Sequence, residues 1–172
     1  YHLGGNNRDL LATAQYQPMS IQALIADTAW LRSTGIEQPE GAVGQDSYFF
    51  QQMLYYAESV AVVPTPVHVY YAEVANSTVN SISAKFFRKY LPLEESRSSW
   101  LKDIGLIDHY SDTRFMAFLE KWYLVKLRSV VGEDRAESIS RIHEIASMYG
   151  PRVTENPHFQ SLMAEAEEES NL

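Results

Sequence analysis

The sequence predicts an α/β segment over residues 1–80 followed by an all-α region over residues 81–172, predominantly helical overall. Three observations lead there. Phe49, Phe50, Met53, Leu54 and Ala57 recur at helical spacing and run into Val60-Ala61-Val62-Val63, a continuous apolar run that suggests a strand buried on both faces. Val67-His68-Val69-Tyr70-Tyr71 follows as a second strand candidate, after Pro64 and Pro66. Beyond Ser81 the apolar residues recur only at helical spacing, enough for about four helices.

In chain order, residues 1–9 read as loop, with paired Gly and Asn. Residues 10–17 read as a short strand that Pro18 stops. Ser20 looks like an N-cap for an amphipathic helix over 21–33, with Ile21, Leu24, Ile25, Thr28 and Leu31 on one face and Gly35 just past its end. A loop over 36–44 leads to a helix over 46–58. Residues 73–80 are polar loop. In the second region, 83–91 and 93–104 read as helices that Pro92 separates or reopens, with Gly105 as a C-cap. Residues 112–131 carry the longest apolar stripe, ended by Gly132. Helices over 134–149, closed by Gly150-Pro151, and over 156–169, turning acidic at its end, complete the chain.

A segment with two or three strands is short of an ordinary sheet, which has about four to six. The strands are therefore expected to complete a larger protein or to pair across an oligomer. The chain starts without Met in polar, Gly-rich sequence, which reads as cut from something longer.

Composition excludes several classes. With 45% hydrophobic and 21% charged residues the chain is globular, not disordered. A net charge of −8 makes nucleic acid and anionic membrane surfaces poor partners. Absence of cysteine excludes disulfides and thiolate metal sites and fits a reducing compartment. No apolar run is long enough for a transmembrane segment.

The candidate chemistry centres on Gly44-Gln45-Asp46. An Asp opening a helix is a favoured N-cap, and the helix dipole favours negative charge there. It is equally placed to act as a general base. No phosphate-loop, dinucleotide-binding or nucleophile-elbow pattern occurs. The five His are scattered and read as surface or capping residues. His68 alone, facing opposite to Val67 and Val69, is a packing residue first and a substrate contact second. Asn76-Ser77-Thr78-Val79-Asn80 follows the second strand, where ligand loops of open α/β sheets lie. An ordinary helix-capping loop is the favoured reading of its spacing. Asn76-Ser77-Thr78 is also a glycosylation sequon, discounted for want of any secretory sign. The aromatic stripes over 86–90 and 115–122 read as helix-bundle core.

Gln45-Asp46-Ser47-x-Phe49-Phe50, then the Val60–Val63 run, Pro64-x-Pro66-Val67-x-x-Tyr70-Tyr71 and Ser77-Thr78-x-Asn80, resemble in order and spacing the acceptor half of a family-2 glycosyltransferase, as found in bacteria. Pro18-Met19-Ser20-x-Gln22-x-Leu24 and Trp30-Leu31 resemble the acceptor-side helix segment of that family, so the likeness covers residues 16–80. The helical region resembles extensions on some bacterial members. The resemblance implies a GT-A fold whose nucleotide-binding half, with its Asp-x-Asp motif, precedes residue 1. It implies an inverting transfer from a nucleotide-sugar donor to a hydroxyl of a glycan or other acceptor. Asp46 aligns with the catalytic base. Gln45 stands where many relatives have Glu, and Ser77, Thr78 and Asn80 align with the loop that approaches the diphosphate. A divalent metal, Mg or Mn, would be held mainly outside this chain. The implied enzyme is cytoplasmic, in solution or at the inner face of the membrane, and this part alone would be inactive. The alternative reading is a helical oligomerisation or docking module without catalysis of its own, a homo-oligomer being one outcome.

Overall fold

A computed structural model describes residues 2–3, 7–17, 21–69 and 82–169 of the chain. They fall into two compact units, one of residues 1–40 and 44–72, the other of residues 41–43 and 73–172. The described residues are predominantly helical.

The first unit contains β1 (His2–Leu3), α1 (Asn7–Thr13), a 3₁₀ turn (Ile21–Ala23), α2 (Thr28–Thr34), α3 (Gln45–Tyr56) and β2 (Val60–Ala61). The strand expected over 10–17 is instead the end of α1 and a turn. Leu10 and Leu11 are both buried, at 5% and 0% exposure. Adjacent strand residues face opposite ways, whereas adjacent helical residues can share a broad apolar face, and the neighbouring alanines favour helix. α1 packs on α3. Between them the chain turns through Gln15 and Tyr16, with φ of 50° and 52°. That left-handed backbone is costly for side-chain-bearing residues. Here the Tyr16 ring is buried and its carbonyl accepts Gln51 Nε2–H at 2.8 Å.

The helix expected over 21–33 is split. Asp27 at φ −64°, ψ 124° caps α2 by accepting the Trp30 N–H at 2.7 Å, which sets the helix start at Thr28. Ile25, expected on the apolar face, is fully exposed before that cap. Gly35 closes α2 at φ 67°, as its position predicts.

The Val60–Val63 run is not a buried strand. Only Val60 and Ala61 pair, antiparallel, with Leu3 and His2. Val62, Val63, Val67 and Val69 are exposed, and residues 66–69 are not strand. Pro64 and Pro66 have no N–H to donate to a ladder, and β1 offers two residues of partner. Tyr70 and Tyr71, the rest of the second strand candidate, lie outside the described residues.

The second unit is a helix bundle. α4 (Ala84–Asp103) runs unbroken through Pro92, where two helices were expected. Proline costs a helix interior about 3 kcal/mol by removing one hydrogen bond and crowding the preceding turn. Burial of Tyr90, Leu93 and Leu101 on the same helix offsets it. One residue from the interrupted Arg88 carbonyl, the Lys89 carbonyl accepts the Val43 N–H at 3.1 Å. α4 ends in a Schellman motif: Leu106 N–H donates to the Leu101 carbonyl and Gly105 N–H to that of Lys102, with Gly105 at φ 65°.

Residues 107–127 form one helix, α5, in which π turns at Ser111–Phe115 and Leu119–Leu124 interrupt α geometry. The sequence explains them. Apart from Tyr110 in its first turn, its buried residues, Ser111, Phe115, Leu119, Tyr123 and Leu127, recur every fourth position. In a pure α-helix such a repeat rotates about 40° per step. Wider π turns cancel that drift and keep all five on the core.

α6 (Glu133–Met148), α7 (Pro151–Thr154) and α8 (Pro157–Glu168) follow. Gly132 and Gly150 open α6 and α7 from extended positive-φ conformations, so Gly132 starts a helix where the pattern had it ending one. Asn156 caps α8, accepting the His158 and Phe159 N–H groups. The core expected along 134–149 is present, with Ile139, Ile142, Ile145, Ala146 and Tyr149 all buried.

Candidate functional site

The predicted catalytic residue lies on the first turn of α3. Gly44, with φ 75°, and not Asp46, occupies the N-cap position and offers no side chain. The Ser47 hydroxyl donates back to the Gly44 carbonyl at 2.7 Å. The positive φ turns the chain within one residue and places the helix start at Gln45, which leaves Asp46 inside the first turn. Asp46 is exposed, and its Oδ1 accepts the Ser47 N–H at 3.0 Å. Among the described residues no cationic side chain pairs with it within 4.0 Å. The inner side of α3, with Tyr48, Phe50, Gln51, Gln52 and Leu54, fixes the helix in its unit.

Of the other expected site residues, Gln45 is partly buried beside Asp46. His68 is exposed in irregular chain, which corrects the buried packing role expected from a strand position. No hydrogen bond joins it to Asp46 among the described residues. Ser77, Thr78 and Asn80 lie outside the described residues. The structure therefore brings together only Gln45 and Asp46. Among the described residues no group of three or more His, Asp or Glu is arranged to hold a metal. The described residues do not offer a divalent ion a site.

The second unit holds a polar cluster that the sequence pattern missed. Glu94 is 0% exposed and Arg97 1%, one turn apart on α4. Arg97 donates to Glu94 Oε1 at 2.7 Å, and Tyr123 of α5 donates to the same oxygen at 2.8 Å. Tyr149, following α6, donates to Oε2, and Arg97 reaches the Tyr110 hydroxyl at 3.4 Å. Burial pushes the Tyr123 and Tyr149 hydroxyls well above the ordinary tyrosine value, and the Glu94 charge adds to it. Burial also raises Tyr110, against the pull of Arg97. Burial opposes the Arg97 charge, but Glu94 and the three tyrosines outweigh it and hold Arg97 well above its usual value. The i,i+3 Glu–Arg spacing on a helix was the one signal in the sequence, and it is also that of an exposed pair.

A second buried cation, Arg135, spans two helix ends. It donates to the Leu127 carbonyl at 3.0 Å and the Ala166 carbonyl at 3.2 Å, and pairs with Glu169 at 2.9 Å. The cleft beside it, about 60 Å³ between Leu124, Leu162 and Glu165, admits water-sized groups. Ligand sites for a nucleotide sugar are several times larger. Neither buried cluster is open to a substrate; both read as structural.

No family model, curated protein or solved structure matches the chain.

Proposed function

We propose that the chain is the acceptor-side part of an inverting glycosyltransferase resembling family 2, with Asp46 as general base. The observation that carries this reading is the state of Asp46: an exposed carboxylate on a helix first turn, reached through a left-handed glycine and unpaired with any cation among the described residues. A structural ion pair would explain a carboxylate otherwise, and there is none among the described residues. The order of motifs around it supports the same reading.

In this mechanism an acceptor hydroxyl hydrogen-bonds to Asp46 at roughly 2.6–3.2 Å. The hydroxyl oxygen attacks the anomeric carbon of the nucleotide sugar, the carboxylate takes its proton, and the nucleoside diphosphate leaves. Gln45, His68 and the Ser77-Thr78-x-Asn80 loop would contact substrate. In the proposed GT-A arrangement the first unit belongs to the acceptor side, and the divalent metal belongs to a nucleotide-binding part carrying Asp-x-Asp, a motif these 172 residues do not contain.

The test is transfer by the intact protein carrying Asp46→Asn. Loss of about 10²–10⁴-fold with unchanged folding is expected of a general base. Undiminished transfer would return Asp46 to a purely structural place in the first turn. A coding sequence without an upstream Asp-x-Asp region would sink the larger reading.

A second reading, a docking module, is favoured by the separate core of the second unit. Light scattering tests its homo-oligomer form, for which a monomer at high concentration is the adverse result.

A further inference from the structure

The four-residue repeat of α5 sorts its whole surface into columns. One flank bears Asp112, Glu120 and Arg128; Asp112 pairs with Arg152, Glu120 with His158, and Arg128 lines the cleft with Glu165 and Glu169. The remaining two columns are Thr113, Ala117, Lys121, Val125 and, beside them, Arg114, Phe118, Trp122, Lys126. No acidic residue stands on either, in a chain of net charge −8.

The second of these columns is a continuous stack. Arg114 lies over the Phe118 ring at 5.7 Å, Phe118 and Trp122 stack at 6.3 Å with planes 16° apart, and Lys126 lies over Trp122 at 5.0 Å. The Trp122 N–H is turned inward to the Tyr90 hydroxyl at 2.7 Å. The cations are thus held in place, and the ring faces they flank are taken. Val125, between Lys121 and Lys126, is 47% exposed, and Val131 just beyond the helix is 81% exposed.

We propose that this face of α5 docks on an anionic membrane surface, lying flat in the headgroup region. Three cations over a face about 15–20 Å long suit a sheet of anionic headgroups. The exposed Val125 and the aromatic edges between them gain by entering the acyl boundary, whereas a hydrated polyanion gives them nothing. A polymer that binds by stacking needs an open ring face, and each ring of this column already has a cation and a neighbouring ring beside it. Net charge misleads here because attraction to a surface falls off within a Debye length, so the face that touches counts for most.

The experiment is sedimentation of the chain with vesicles of phosphatidylcholine and phosphatidylglycerol in equal parts, against phosphatidylcholine alone. Binding to the mixed vesicles at low salt and none to the neutral ones is expected. Lys121→Glu changes an exposed position by two charges and should weaken binding about 30-fold, at about fivefold per charge. Lys102→Glu, the same change on exposed α4 surface, should leave binding nearly intact, and Val125→Asn should weaken it. No binding to the mixed vesicles would overturn the proposal. So would equal losses from Lys121→Glu and Lys102→Glu, an unaffected Val125→Asn, or binding to polyphosphate in place of vesicles.

Discussion

The two units bury polar groups in opposite ways. In the second, Glu94 and Arg97 are enclosed together, and both Glu94 oxygens have donors from three different parts of the bundle. In the first, Gln51 and Gln52 are buried on α3, each using its amide N–H while its Oε1 has no hydrogen-bond partner among the described residues. The first unit also carries most of the exposed large apolar residues, Ile25, Val62, Val63, Val67 and Val69 among them. A network in which both carboxylate oxygens are met specifies one packing, because the alternatives strand a charge, even with Arg97 Nε outside any hydrogen bond among the described residues. An incomplete one leaves the fold less determined. The second unit meets its buried side-chain acceptors, and the first leaves two amide oxygens without a donor, among the described residues.

The sharpest way to break this contrast is to remove Glu94. Glu94→Ala strands a buried guanidinium and should cost about 3–5 kcal/mol. Urea denaturation with site-resolved hydrogen exchange should place that loss in residues 84–169 and leave α1 and α3 unchanged. A loss below about 1 kcal/mol would mean that the cluster is idle.

Alkali probes the same cluster more gently. Tyr110, Tyr123 and Tyr149 hold their protons more tightly in the folded state than in the unfolded chain. Their contribution is therefore complete below the ordinary tyrosine value and is lost as pH rises beyond it. The slope is about 1.4 kcal/mol per pH unit for each tyrosine. Denaturation midpoints measured above pH ~10 should fall steeply, and Tyr123→Phe should make the fall shallower. A flat profile would contradict the burial of these hydroxyls.

The smallest effect tests the other side. Gln52→Leu removes a stranded oxygen and one hydrogen bond to Tyr48, so the change should stay within about 1 kcal/mol of zero. A large destabilisation would show that the Gln52 oxygen has a partner after all and would erase the contrast.

The same difference governed what the sequence revealed. The helices of the second unit were legible because Ile139, Ile142, Ile145 and Tyr149 bury themselves against their own unit, so period and burial agree. Pro92 misled because packing outweighed a local breaker. In the first unit Val60–Val63 has strand composition but, among the described residues, only the two residues of β1 to pair with, so propensity had little sheet to act in. Asp46 was legible as a helix-start carboxylate, but its exact place was not: Gly44 at positive φ moved the helix start ahead of it. The Glu94 cluster was illegible beyond its i,i+3 Arg97 because its tyrosine donors lie 29 and 55 residues away in sequence. Such partners leave no periodic trace.

The π turns of α5 also bear on how this helix tolerates a change of length. Each π turn behaves as an α turn carrying an extra residue. Deleting one residue within Leu119–Leu124 would let that stretch relax to α geometry, five steps of about 100° replacing six narrower ones, and leave everything after it nearly in place. Leu127 would stay on the core, and the carbonyl that Arg135 caps would stay with it. The same deletion in α geometry, within Met116–Phe118, would turn the rest of the helix by about 100° and carry Leu127 out of the core. The π turns are thus the places where this helix can lose a residue and keep its register.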